Sequence, residues 1–155
     1  LKVVAEAGNG RDAVRLAQEC QPDIIVMDLG LPDISGLETI RLIREQDIKS
    51  RIVVLSMYIR REFVRPAIEA GCDGYVPKSS THTSLLEAIR VVLTGERYLH
   101  PKAATALVES VTAKETEADL YQQLSEREQD VLRLTALGDL VKFALKAGIL
   151  DDLDD

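Results

Sequence analysis

Apolar and polar positions follow two rhythms along the first hundred residues. Lys2–Ala7 (KVVAEA) predicts a strand, and Gly8-Asn9-Gly10 a turn. Arg11–Cys20 repeats apolar residues at helical spacing, with Ala13, Val14, Ala17 and Cys20 on one face. Ile24–Met27 is an unbroken apolar run, as a strand buried on both faces requires, and it ends at Asp28. The loop LGLPDIS follows, with Pro32 as punctuation. Ser35 and Glu38 then form an S-x-x-E capping box, opening a helix with Leu37, Ile40 and Ile43 or Arg44 at helical spacing. Ile52–Leu55 predicts another buried strand, ending at Ser56. Residues 61–70 predict a helix with Val64, Ala67 and Ile68 inward and Gly71 as its stop. Gly74–Pro77 predicts a short strand leading into Lys78. Pro77 cannot donate to a ladder, which assigns that strand to a sheet edge. Ser84–Leu93 predicts a helix through Leu85, Leu86, Ile89, Val92 and Leu93, stopped near Gly95. Strand–helix alternation of this kind calls for a parallel sheet covered on both faces, with right-handed crossovers.

Past residue 100 the pattern changes. Pro101 opens a helix to about Val111, and the polar stretch Thr112–Gln123 reads as a linker. Ser125 and Glu128 form a second capping box. Glu126–Leu137 predicts a helix with Val131, Leu132, Thr135 and Leu137 near one face, ended by Gly138. Leu140–Ala147 predicts a short helix ending at Gly148, followed by the acidic tail Asp151–Asp155. There is no internal repeat.

Composition narrows the class. The chain has 155 residues, 46% of them hydrophobic and 29% charged, which is globular composition. Aromatics are 4% and Trp is absent, so the core is aliphatic. No apolar run approaches the roughly 18 residues of a membrane span. Cys20 and Cys72 are too few for a disulfide scaffold or a cysteine-built zinc site, so a reducing, cytoplasmic setting is expected. The chain does not begin with Met, as expected of a processed or incomplete product. Net charge is −7 and unevenly spread. Residues 1–111 carry 14 basic and 15 acidic side chains, whereas residues 112–155 carry 5 and 11, a net of −6. Nucleic-acid binders concentrate positive charge, and the C-terminal part does the reverse.

Three polar side chains close successive strands: Asp28, Ser56 and Lys78. The C-terminal edge of a parallel sheet is where ligands bind, and crossovers bring residues 50 apart in sequence together there. A carboxylate, a hydroxyl and an ammonium together suit phosphoryl acceptance. The carboxylate attacks to form an acyl phosphate, while the other two stabilise the phosphoryl oxygens. Such transfer normally needs a divalent metal, and Mg2+ prefers carboxylates, phosphate oxygens and water. The backbone of Gly30, two residues after Asp28, is a further candidate ligand.

At these residues the sequence resembles the receiver domain of bacterial two-component response regulators of the NarL/FixJ type. IIVMDLGLPDISGLE, IVVLSM and GCDGYVPKS carry the resemblance. LSEREQDVLRLTALG (Leu124–Gly138) and LVKFALKAGIL (Leu140–Leu150) resemble the opening and closing helices of the LuxR-type DNA-binding half. The resemblance implies a flavodoxin-like doubly wound α/β fold followed by a small, incomplete all-α module. It implies residues 1–98 as receiver, 99–123 as linker helix and linker, and 124–155 as partial helix-turn-helix. It makes Asp28 the phosphoacceptor, Ser56 the switch hydroxyl, Lys78 the phosphoryl-contacting lysine and Tyr75 the aromatic switch. The implied cofactor is Mg2+ at Asp28 and the Gly30 backbone. The implied partners are a histidine kinase, promoter DNA for the intact relative, and a second copy of the chain. No enzyme activity is implied beyond its own phosphotransfer and dephosphorylation.

The chain departs from the family pattern at two places. The family begins with a strand and helix before Lys2–Ala7, and an acidic pair at the end of that strand helps hold Mg2+. Neither is present, so the sheet is expected to have a gap at its middle. The helices that would include the recognition helix are also missing, because Gly138 runs directly into Asp139-Leu140-Val141. DNA binding by this chain is therefore expected to be weak or absent. A deleted protein, or a longer one with segments omitted here, are the two alternatives. A receiver lacking its acidic pair is also compatible with a phosphorylation-independent interaction module.

Other features have plainer readings. Cys20 and Cys72 read as small core hydrophobes. His82 and His100 read as surface or capping residues. Arg60, Arg61 and Arg65 read as a solvated helix face. Gly8-x-Gly10-x-x-Ala13, with Asp28 20 residues after Gly8, has the spacing of a dinucleotide-binding fingerprint. That rival, an oxidoreductase fragment, leaves Ser56, Lys78 and residues 124–138 unexplained, and a tight turn is the favoured reading.

Overall fold

The computed structural model describes residues 1–109 and, as backbone, 141–146. The chain order is β1 (Lys2–Ala7), α1 (Gly10–Cys20), β2 (Ile24–Met27), α2 (Gly36–Glu45), β3 (Arg51–Ser56), α3 (Arg61–Ala70) and β4 (Gly74–Pro77). Then come α4 (His82–Leu93), β5 (Tyr98–Leu99), α5 (Pro101–Glu109) and β6 (Val141–Lys146). The strands form one sheet in the order β1-β6-β2-β3-β4-β5. Neighbours from β2 to β5 pair in parallel, with Met27 opposite Val54 and Ser56 opposite Pro77.

The period-two geometry of these strands explains their unbroken apolar runs. Ile25, Met27, Ile52, Val54 and Tyr75 enter one core with residues of α1, α2, α3 and α5. Ile24, Val26, Val53 and Val76 enter a second core against Ala88, Ile89 and Val92 of α4. Each fully buried aliphatic side chain contributes about 1.5–3 kcal/mol of transfer free energy. The helix boundaries match their sequence signals. The Asn9 side chain accepts from the Asp12 N–H, Ser35 from Glu38 and Thr81 from Ser84. Gly71 closes α3 in the left-handed region at φ 108°. Thr81 starts α4 at His82, earlier than the expected Ser84.

Four expectations are corrected. Residues 141–146 are a strand, not part of a helix. β6 runs antiparallel to β1 and β2, with Ala5 opposite Phe143 and Ile24 opposite Leu145. It stands in the slot where a gap was expected, so the sheet is mixed. VKFALK alternates apolar 141, 143 and 145 with lysines at 142 and 146, a period-two pattern. Unpaired edges of β1 and β2 supply the ladder that decides between helix and strand. Second, β4 is internal. Two-residue β5 pairs only Gly74 and Tyr75 and never reaches Pro77, so no donor is missed there. Third, Tyr98–Leu99 adds a fifth strand beyond β4, too short to show a pattern in sequence. Fourth, the packed body runs past residue 98, because Ala103 of α5 is fully buried in the first core. The expected linker 112–123, helix 126–137 and tail 151–155 lie outside the described residues.

Candidate functional site

Parallel pairing places the ends of β2, β3 and β4 side by side, and their last or next residues are Asp28, Ser56 and Lys78. The Lys78 Nζ donates to Asp28 Oδ2 at 2.5 Å across 50 residues of sequence. The two side chains are 20% and 14% exposed, so the pair is screened from bulk water yet open on one side. Asp28 Oδ1 accepts the Gly30 N–H at 2.9 Å. The loop geometry behind this is tight. The Gly36 N–H donates to the Leu29 carbonyl at 2.9 Å, and a methyl group at Gly36 would collide with the Asp28 backbone. Lys78 is itself placed by its N–H, which donates to the Ser56 carbonyl at 2.7 Å.

Ser56 and Tyr75 are buried behind this pair, at 1% and 0% exposure. Ser56 Oγ accepts the Tyr58 N–H at 3.0 Å, and the Tyr75 hydroxyl donates to the Tyr58 carbonyl. Tyr58 thus holds both residues, and its ring lies 4.7 Å from that of Phe63. Burial pushes the Tyr75 phenol well above its usual value, opposed in part by its hydrogen bond with Ser56. It stays neutral and keeps the proton it donates to the Tyr58 carbonyl. Tyr58 was not singled out in the sequence, where one Tyr after a strand carries no signal.

The Mg2+ implied by the resemblance finds little here. Among the described residues no group of three or more His, Cys, Asp and Glu side chains comes together. Asp28 offers a single carboxylate, and the Lys78 ammonium against it opposes a second cation. These residues do not fit a divalent ion by themselves.

The dinucleotide reading of Gly8–Ala13 is overturned. The amides of Gly10 and Arg11, where a pyrophosphate would sit, are taken by the Asp33 carboxylate at 2.7 and 3.0 Å. The plainer readings hold better. Cys72 is buried and Cys20 is partly buried. His82 is exposed at the start of α4, and His100 Nδ1 accepts the Lys102 N–H at 3.2 Å. Arg60 and Arg65 pair with Glu62 and Glu69 on the α3 surface.

An open α/β sheet with a carboxylate–ammonium pair at its C-terminal edge defines a class, and the comparisons give the family. The chain belongs to the response regulator receiver domain family, whose pattern matches residues 1–90. It is similar to the nitrate/nitrite response regulator protein NarL of Escherichia coli, 39% identical over 140 residues. It is also similar to the response regulator protein VraR of Staphylococcus epidermidis, 33% identical over 138 residues. Each alignment covers 89% of this chain, and the chain spans 64% and 65% of those relatives' lengths. A crystal structure of a LuxR-family two-component response regulator from an Aurantimonas species superposes with a TM-score of 0.68 at 42% identity. That match covers 71% of this chain and 79% of the other. Among the described residues no helix is long and apolar enough to cross a membrane.

Proposed function

We propose that Asp28 accepts a phosphoryl group from a phosphohistidine of a partner histidine kinase, and that the acyl phosphate switches a transcriptional output. The observation that supports this most is the Lys78–Asp28 contact at the sheet edge. A free oxygen lone pair of Asp28 attacks phosphorus, the P–N bond to histidine breaks, and the departing imidazole takes a proton from water. Lys78 offsets the charge gathering on the phosphoryl oxygens. Movement of the Ser56 hydroxyl toward the phosphoryl group would release the Tyr58 N–H, and Tyr75 is tied to the same residue. One displacement is thereby passed from Ser56 to Tyr75.

In this reading residues 1–98 with α5 form the phosphoacceptor body, so that the linker helix expected within 99–123 is part of it. Residues 124–155 are part of a LuxR-type module, of which 141–146 is a strand here. The acidic balance of that part argues for weak or absent DNA binding by this chain. A small phosphoryl donor such as acetyl phosphate tests the acceptor. Wild type is labelled and Asp28→Asn is not; label that persists in the variant moves the acceptor elsewhere. A second reading, a phosphorylation-independent interaction module, is favoured by the poor fit for Mg2+. Wild type that stays unlabelled at saturating Mg2+ would select it.

A further inference from the structure

The loop between β2 and α2 is held far from its phosphoacceptor by a side chain that the proposed chemistry does not use. Asp33 reaches the start of α1, where Oδ1 accepts the Gly10 N–H at 2.7 Å and Oδ2 the Arg11 N–H at 3.0 Å. Amides of a first helical turn have no partner within their helix, so an outside carboxylate satisfies them and meets the positive end of the helix dipole. The two surfaces also fit closely. A methyl group at Gly10 would stand 3.1 Å from Ile34 Cδ1, and closer still to Ile34 Cγ1 and Thr39 Oγ1. Near its start, the loop is held by the Gly30 N–H on Asp28 Oδ1, and at its end by the Gly36 N–H on the Leu29 carbonyl. Between these two, Leu31 is buried in the first core and Asp33 ties the loop to a different element, α1.

We propose that Asp33 is a positioning residue for Asp28: by clamping the loop to the N-terminus of α1 it fixes the Gly30 amide that orients the acceptor carboxylate. The inference rests on the reading of Asp28 as acceptor. The hydrogen bonds of Asp33 go to α1 and not to Asp28. Without the clamp, the loop keeps only the apolar packing of Ile34 on α1 and of Leu31 in the core, and the Gly30 amide at Asp28 Oδ1 is held less firmly.

The test compares wild type, Asp33→Ala and Asp33→Asn. Labelling by acetyl phosphate is timed well below the thermal transition of each, and amide hydrogen exchange is followed at Gly30. Asp33→Ala is expected to label about tenfold more slowly, since small misplacements of a reacting group cost this much or more. Its Gly30 amide exchanges faster. Asp33→Asn keeps one acceptor oxygen and restores part of both, a rescue that a general loss of stability would not follow. It also keeps the test open if the alanine variant does not fold. An unchanged labelling rate or unchanged Gly30 protection in Asp33→Ala overturns the clamp. Wild type that does not label overturns the acceptor reading instead, and Gly30 exchange then decides Asp33 alone.

Discussion

Gly36→Ala is the sharpest single perturbation of this site. Gly36 is the first residue of α2 and is absent from the positive-φ glycines, so alanine can adopt its backbone without strain. The cost is steric alone. The new methyl would stand 2.7 Å from Leu29 Cα and 2.9 Å from the Asp28 carbonyl carbon, and nearer still to its oxygen. Carbon atoms rest about 3.5–4.0 Å apart, so the overlap is about 1 Å against the Asp28–Leu29 peptide. Backbone cannot swing away as a side chain can, which puts the cost near the top of the overpacking range, about 3 kcal/mol. Alanine returns up to about 1 kcal/mol in helix propensity, leaving a net loss of about 2 kcal/mol. For a body of about 100 residues that lowers the melting temperature by roughly 8–16 °C. Far-UV circular dichroism melts measure it, with Gly8→Ala as control, because a methyl there meets nothing within 4 Å. Labelling of Asp28 should fall in Gly36→Ala and hold in Gly8→Ala. A Gly36→Ala protein that melts with the control would refute the close approach of α2 to the Asp28 backbone.

Other outcomes follow from the same contacts. Lys78→Met should cut acetyl phosphate labelling about 100-fold, as loss of one positioned donor does elsewhere, while the melting temperature moves little; near-normal labelling would remove Lys78 from the site. Oxidation should join Ala5→Cys to Phe143→Cys, since directly opposed residues of an antiparallel pair lie within disulfide reach. A helix over 141–146 would leave that pair unjoined on non-reducing gels. Burial raises Asp33, but the Arg11 and Gly10 amides outweigh it and hold the carboxyl below its ordinary 3.8. Its folded value being depressed, its contribution is present above pH 3.8 and lost as pH falls through the lower folded value. Urea midpoints of wild type and Asp33→Asn should therefore differ at neutral pH and converge in acid. Burial pushes the Cys72 thiol up to about 12, so iodoacetamide at mildly alkaline pH should modify Cys20 and spare Cys72.

Much of this protein is written in local pattern. The runs at 24–27 and 52–55 each have room for side chains on two faces only in a doubly covered sheet, and both are strands with two cores. Ser35, Gly71 and the helical spacing of Val64 and Ala67 mark their elements because caps and periodicity act within one turn. Asp28, Ser56 and Lys78 were readable as candidates for the same reason: a polar residue ending an apolar strand is visible in sequence. Their meeting was not. The contact of Lys78 with Asp28 depends on strand order and register, and these are set by long-range pairing. Asp33 and Gly36 were passed over because their partners, the α1 amides and the Asp28 backbone, are defined only once the loop is folded.

Residues 141–146 mark the boundary most clearly. The chemistry of VKFALK permits either a helix resembling the closing helix of a LuxR-type module or a strand with period two. Backbone hydrogen bonding is satisfied within a helix but only between partners in a sheet. A six-residue segment therefore has its conformation decided by whether two open edges stand on either side of it. Composition determined an aliphatic core and an acidic C-terminal part, and periodicity the α/β body. Tertiary structure decided which strand stands between β1 and β2 and which side chains meet at the C-terminal edge.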